Sequence, residues 1–243
     1  MNQGSECITA EKIRLNADDG SIWSNVSFSV VSGSISTISG LTGPARTLMM
    51  RMLAGLTPIT EGTIRLWGQP INAYSRHQLN ASVRLVSSRV SPGFSFTVRE
   101  FIGQGCELRH TGFHEISPAD HARVDQWLEQ LNMTHLARRD CNQLGRSDRV
   151  RVGLAQAMMC LPKLILMDDP LDHLQADVTE ILTEFLTLLS TRGMTVILST
   201  DSRHQAFPLT TAVIDLAAHA VQNKAADKAV EEPAETDPDQ FLF

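Results

Sequence analysis

GLTGPARTLMMRMLAGL, residues 40–56, decides how this chain is read. A compact β-branched run, residues 34–39, precedes it, and Thr57 and Pro58 close the apolar run that ends it. Strand, glycine turn and helix in that order make a phosphate-binding loop. The turn aims backbone N–H groups at an anion, and the helix dipole adds partial positive charge. The usual pattern is G-x-x-x-x-G-K-[ST]. Here it is filled by Gly40, Leu41, Thr42, Gly43, Pro44, Ala45, Arg46 and Thr47. Thr47 keeps the hydroxyl that such a loop offers to Mg²⁺. Three departures weaken the cradle. Arg46 keeps a positive charge, but a planar fork does not replace a compact ammonium. Pro44 removes one N–H. Ala45 stands where a glycine is usual, and a positive φ there would cost about 1–2 kcal/mol.

Outward from the loop, the pattern predicts an α/β protein. Residues 8–15 and 23–31 read as strands separated by the turn Asp18-Asp19-Gly20. The loop helix is expected over 47–56, with strands at 63–67 and 83–86. Residues 97–106 and 118–137 read as helical, with Pro118 at a first helical position. A helix after Arg149 runs to about 160, and a buried strand at 164–167 ends in Asp168 and Asp169. A helix at 178–190 and a strand at 195–199 follow. This alternation implies a mostly parallel sheet interrupted by a helical insert.

Composition narrows the class. The hydrophobic content of 42% suits a substantial core, and no apolar run is long enough to span a bilayer. The N-terminus has neither a basic nor an apolar region, so no signal peptide is expected. Cys7, Cys106, Cys141 and Cys160 are spaced for neither metal nor disulfides, which points to a reducing cytoplasm. Of the net charge of −6, residues 224–243 carry −4, from two lysines and six acidic residues. A near-neutral body argues against a nucleic-acid surface. Residues 223–243 read as an acidic, disordered tail ending in an apolar cluster. Met49, Met50 and Met52 read as core filling, Trp23, Trp67 and Trp127 as packing aromatics, and His110, His114 and His121 as surface residues.

Two further segments carry a resemblance. QLGRSDRVRVGLAQAMMCLPKLILMDDPLDHL, residues 143–174, resembles the signature-to-Walker-B block of ATP-binding-cassette (ABC) ATPases. TRGMTVILSTDSRHQA, residues 191–206, is similar to their switch segment. The order and spacing agree from about residue 8 to about residue 216. The resemblance implies a P-loop NTPase core of RecA type with an antiparallel β subdomain and a helical subdomain, here about 88–154, in a single domain over 1–222. It implies ATP and Mg²⁺ as cofactors, an integral membrane permease and a second ABC domain as partners, and a place on the cytoplasmic face of the membrane. FTVREFIGQG (residues 96–105) and the helical stretch 117–140 are similar to the iron-siderophore, haem and cobalamin importer branch.

Carried over position by position, the family's machinery is altered. The adenine-stacking aromatic falls near Ala17, and the Q-loop glutamine at Ser88. The LSGGQ signature, which offers a hydroxyl and N–H groups to the γ-phosphate across the pair, becomes Leu144, Gly145, Arg146, Ser147 and Asp148. Asp148 would set negative charge toward a phosphate. The Walker B aspartate is kept as Asp168, a Mg²⁺ partner with Thr47. The catalytic glutamate becomes Asp169, one methylene short of the reach of about 2.6–3.2 Å that a general base needs. The switch histidine becomes Asp201, with His204 nearby, and the D-loop aspartate becomes Gln175. Scaffold positions match while positions that act on ATP do not. Two functions follow as expectations. One is a pseudo-ATPase scaffold or regulatory subunit of an importer. The other is a slow but active ATPase binding through Gly40, Gly43, Arg46, Thr47 and Asp168, with Asp169 as a poor base.

Overall fold

The N-terminal alternation builds a ladder. β1 (Glu6–Asn16) pairs antiparallel with β2 (Ile22–Val31), and β4 (Thr63–Leu66) pairs antiparallel with β1 on its other side. The computed structural model describes residues 5–87, 95–109, 117–170, 174–200 and 210–221. The short strands β5 (Gln69–Pro70) and β10 (Ala220–Val221) complete this first sheet, in the order β10-β2-β1-β4-β5.

The second sheet is parallel. Its order is β6-β7-β8-β3-β9, from β6 (Val83–Ser87), β7 (Leu164–Asp168), β8 (Thr195–Ser199), β3 (Ile35–Ser39) and β9 (Ala212–Asp215). β3, β7 and β8 are buried at every position, as continuous apolar or β-branched strands covered on both faces should be. Their side chains alternate between two cores. Leu164, Leu166 and Ile197 join the core shared with the antiparallel sheet and α1 (Gly43–Leu53). Ile165, Met167, Val196 and Leu198 face the helices on the other side. Those helices are α3 (Val98–Gly103), α4 (Pro118–Gln130), α5 (Arg146–Met158) and α6 (Ala176–Thr191).

Several boundaries differ from expectation. α1 starts at Gly43 rather than at 47, because Pro44 sits in its first turn, where a missing N–H breaks no helical bond. Ala45 is therefore helical with no positive φ, and the strain expected there does not arise. Its methyl is fully buried. α5 starts at Arg146, ahead of the expected 149, and α4 stops at Gln130 rather than 137. α2 (Arg76–Ser82) was not legible from periodicity. It is short, and a capping box between Ser75 and Gln78 defines its start.

Met49, Met50 and Met52 are buried in the core, as are Trp23 and Trp127, while Trp67 packs edge-on against Tyr74. All four cysteines are buried, and none forms a disulfide. His121 is exposed, whereas His110 and His114 lie outside the described residues. Among the described residues no helix is long and apolar enough to cross a membrane.

Candidate functional site

β3 ends at the loop, and Gly40 makes the turn possible. Its φ is +82°, and a Cβ there would lie 2.4 Å from both the Ala217 amide nitrogen and Asp215 Oδ1. Gly40→Ala is therefore expected to cost at least about 1–2 kcal/mol from backbone strain alone. Thermal unfolding should show a fall of several degrees. Gly43, by contrast, has open space around it and sits in ordinary helical backbone.

The loop's mouth carries a carboxylate that the sequence pattern had only marked as part of a turn. The Thr42 hydroxyl donates to Asp19 Oδ2 at 3.0 Å and lies 3.1 Å from Ser21 Oγ. The Ser21 hydroxyl and its amide hold the Asp19 carboxyl below the usual carboxylate range. A negative charge thus stands beside a loop whose pattern would otherwise attract phosphate. Ala17, at the adenine-stacking position, is buried within the same turn, with its amide donating to the Ser21 carbonyl at 2.9 Å.

Behind the loop, four charged side chains meet. Arg46 is only 3% exposed, and its guanidinium reaches both aspartates at the end of β7. Nη2 lies 3.2 Å from Asp169 Oδ2, and Nε lies 3.9 Å from Asp168 Oδ1. The Arg146 guanidinium, from the first turn of α5, donates to the same Asp169 Oδ2 at 3.3 Å. Asp168 is committed on both oxygens. Thr47 Oγ1 donates to Oδ2 at 2.7 Å, and Ser199 Oγ donates to Oδ1 at 3.0 Å. Ser199 also accepts the Asp169 amide at 3.0 Å. That bond holds Asp169 in left-handed backbone, with φ +52°, a conformation aspartate tolerates better than most residues. Ser199 was read only as the end of a buried strand. Nothing in the sequence marks it as the hinge between the two carboxylates.

The signature positions behave unexpectedly. Asp148 is partly exposed. Its carboxylate pairs with Arg151 one helical turn on. Leu144 is buried, Gly145 begins α5 without a side-chain cap, and Arg146 turns back onto Asp169 of its own chain. Helical spacing explains the first change, since three residues apart on a helix share a face. Gln175 stands just before α6. Ser88, Asp201 and His204 lie outside the described residues, as does the tail at 223–243.

These residues do not fit Mg·ATP as arranged. The Thr47 hydroxyl and the Asp168 carboxylate are the right oxygen donors for a hard cation. The position beside them, however, holds a buried guanidinium. Two arginines already balance the two aspartates. Arg46 Nε and Nη1 are sealed from solvent with no acceptor, so no phosphate oxygen reaches them unless the side chain leaves.

The family model for ABC transporters matches residues 23–172, more than half of the chain. The sulfate/thiosulfate import ATP-binding protein CysA of Mesostigma viride is 29% identical over 191 residues, 78% of this chain and 53% of that one. The Fe(3+) ions import ATP-binding protein FbpC of Photobacterium profundum is 26% identical over 197 residues, 81% of this chain and 54% of its own. The chain thus spans about half the length of these curated relatives. Among solved structures, the dimeric post-hydrolysis state of the ATP-binding cassette MJ0796 with ADP and Pi superposes with a TM-score of 0.72. Its identity is 21%, covering 86% of this chain and 94% of that one. A parallel sheet feeding a glycine-turned loop, an antiparallel sheet beside it and a helical layer opposite together have the cassette ATPase architecture, and this chain belongs to the ABC transporter family.

Proposed function

We propose that this chain is the cassette subunit of an importer-type ABC system, acting as a scaffold or regulator with ATP hydrolysis impaired or absent. The observation that carries this reading is the Arg46 guanidinium buried between Asp168 and Asp169. Metal-assisted phosphoryl chemistry needs an open position between loop and carboxylates. Here an internal cation occupies the equivalent place. Asp169 is held by two arginines and is not poised to accept a proton from water.

In this reading residues 1–222 form the cassette, about 88–154 its helical subdomain, and 223–243 an acidic appendage. The partners are an integral membrane permease and a second ABC domain, at the inner face of the membrane. The cargo is an iron chelate or related metal complex. Its support is the similarity of residues 96–105 and 117–140 to that importer branch, together with the Fe(3+) import for which the Photobacterium relative is named. The Mesostigma relative is named for sulfate and thiosulfate.

A slow ATPase is the second reading, favoured by the Thr47–Asp168 pair at 2.7 Å. Phosphate release and thermal unfolding with Mg·ATP separate the two. The scaffold reading expects no turnover above background, alone or with permease, and no change on Asp169→Asn. It also expects little thermal shift. A bound ligand at a hundredfold excess over Kd would add about 2.7 kcal/mol, a rise of several degrees for a chain of this size. Turnover abolished by Asp169→Asn would instead establish the slow ATPase.

A further inference from the structure

Away from the loop, a cavity of about 100 Å³ lies between β6, the edge strand of the parallel sheet, and α5. Arg84 and Arg149 both line it, and no aspartate or glutamate among the described residues does. Nε of each arginine is sealed from solvent and has no hydrogen-bond acceptor. Arg149 donates from Nη2 to the Asn142 carbonyl at 3.3 Å, while no carboxylate among the described residues pairs with Arg84. Burial lowers the Arg84 pKa, yet a guanidinium stays charged at any physiological pH. The opposite wall is neutral. Gln156 is turned away, donating to the Phe101 carbonyl at 3.0 Å. The Cys141 thiol is pushed up to about 11, chiefly by burial, so it supplies no anion.

Among the described residues no carboxylate lines the cavity these two guanidinium groups face, and Asp140 and Glu100 act on its Cys141 wall only from outside the lining. Both arginines are half-buried, and a partly desolvated charge with no directly paired counter-ion is unfavourable. Water can satisfy donors, and about three molecules of ~30 Å³ each would fill this volume. Water does not balance the charge. An oxyanion does both, because its oxygens accept from several guanidinium N–H groups at once.

We infer that this cavity is a binding site for a small oxyanion, a phosphate-sized group or a carboxylate, held between Arg84 and Arg149. The site is distinct from the loop and does not depend on whether Arg46 blocks nucleotide there.

The test is calorimetric titration and thermal unfolding of the full chain with inorganic phosphate, with sulfate and with acetate. Each is compared with chloride at equal ionic strength. Binding of phosphate or acetate beyond chloride is expected, and the stronger of the two identifies the source as a tetrahedral anion or a carboxylate. Arg84→Met should unfold at a higher temperature than the parent in chloride, since it removes a half-buried charge with no carboxylate partner among the described residues, and should lose the anion response. Arg149→Gln should weaken binding by at least about tenfold. Arg46→Met, which adds no phosphate-binding group at the loop, should leave it unchanged. If no anion exceeds chloride, the inference is overturned. It is also overturned if Arg84→Met keeps the full response. A response lost in Arg46→Met but kept in Arg84→Met would place the anion at the loop, overturning both this site and the blocked-loop reading. Should Arg84→Met fail to fold, Arg149→Gln decides alone, and unchanged affinity there refutes the site.

Discussion

Arg46→Met is expected to lower folding stability by about 3 kcal/mol at neutral pH, and equilibrium denaturation with urea should record it. Breaking a buried ion pair from one side typically costs about 3–5 kcal/mol, because the abandoned charge stays buried. The lower end applies here. Arg46 already leaves Nε and Nη1 without acceptors, and its approach to Asp168 is 3.9 Å, too long for a hydrogen bond. Arg146 also remains beside Asp169, though its side chain is 34% exposed and its charge is partly screened by water. The decisive comparison is the double variant Arg46→Met, Asp169→Asn. Removing the stranded carboxylate should recover a third or more of the loss, as coupling within one network requires. Additive losses in the two variants would mean that the pair is not coupled and that the guanidinium is not seated between the aspartates.

The second large effect is expected at Arg151. Its guanidinium donates through Nη1 to the Leu131 carbonyl at 3.2 Å and to the Asn132 carbonyl at 3.4 Å, and it pairs with Asp148. These two carbonyls stand at the end of α4, where helical acceptors lack intrahelical partners. Arg151 thus ties α5 to α4 from a position only 6% exposed. Arg151→Met preserves much of the packing volume but takes the donor from both carbonyls. A cost of about 2 kcal/mol follows from leaving the buried Leu131 carbonyl unsatisfied, while water can reach the Asn132 carbonyl. It should appear as a lower denaturation midpoint with an unchanged slope. Asp148→Asn, by contrast, should cost under about 1 kcal/mol, because Asp148 is partly exposed and Arg151 keeps its carbonyls. Equal costs at the two positions would show that the ion pair, not the helix tie, dominates.

Much of the fold was legible because its signals are local. β3, β7 and β8 are five-residue apolar or β-branched runs, and burial on both faces leaves no other reading. The loop was legible because Gly40 needs a conformation that a side chain strains. The edges were less so. β9 is a four-residue strand that is largely exposed, and its place beside β3 comes from pairing with residues far away in sequence. The helix starts at Gly43 and Arg146 were misplaced because propensity does not see that first-turn N–H groups need no partner within the helix.

At the candidate site the division is sharper. Motif order alone pointed to Arg46, Thr47, Asp168, Asp169 and Arg146, several of which differ from the family pattern. It described each change separately, as a lost lysine, a shortened base or an intruding arginine. Asp19 and Ser199 carried no signal, since one is a turn residue and the other a strand residue until the chain brings them to the loop.

By itself, then, the order of residues determined the strand–helix alternation and the loop, because hydrophobic period and glycine geometry act over short stretches of chain, while the family and its antiparallel β subdomain were legible only through motif resemblance. Only the tertiary structure decided what the altered residues do to one another. Arg46 and Arg146 lie a hundred residues apart in sequence, yet both close on Asp169, while Asp148 pairs with Arg151. Electrostatic energy depends on distance through space and on burial, and neither is written in sequence separation.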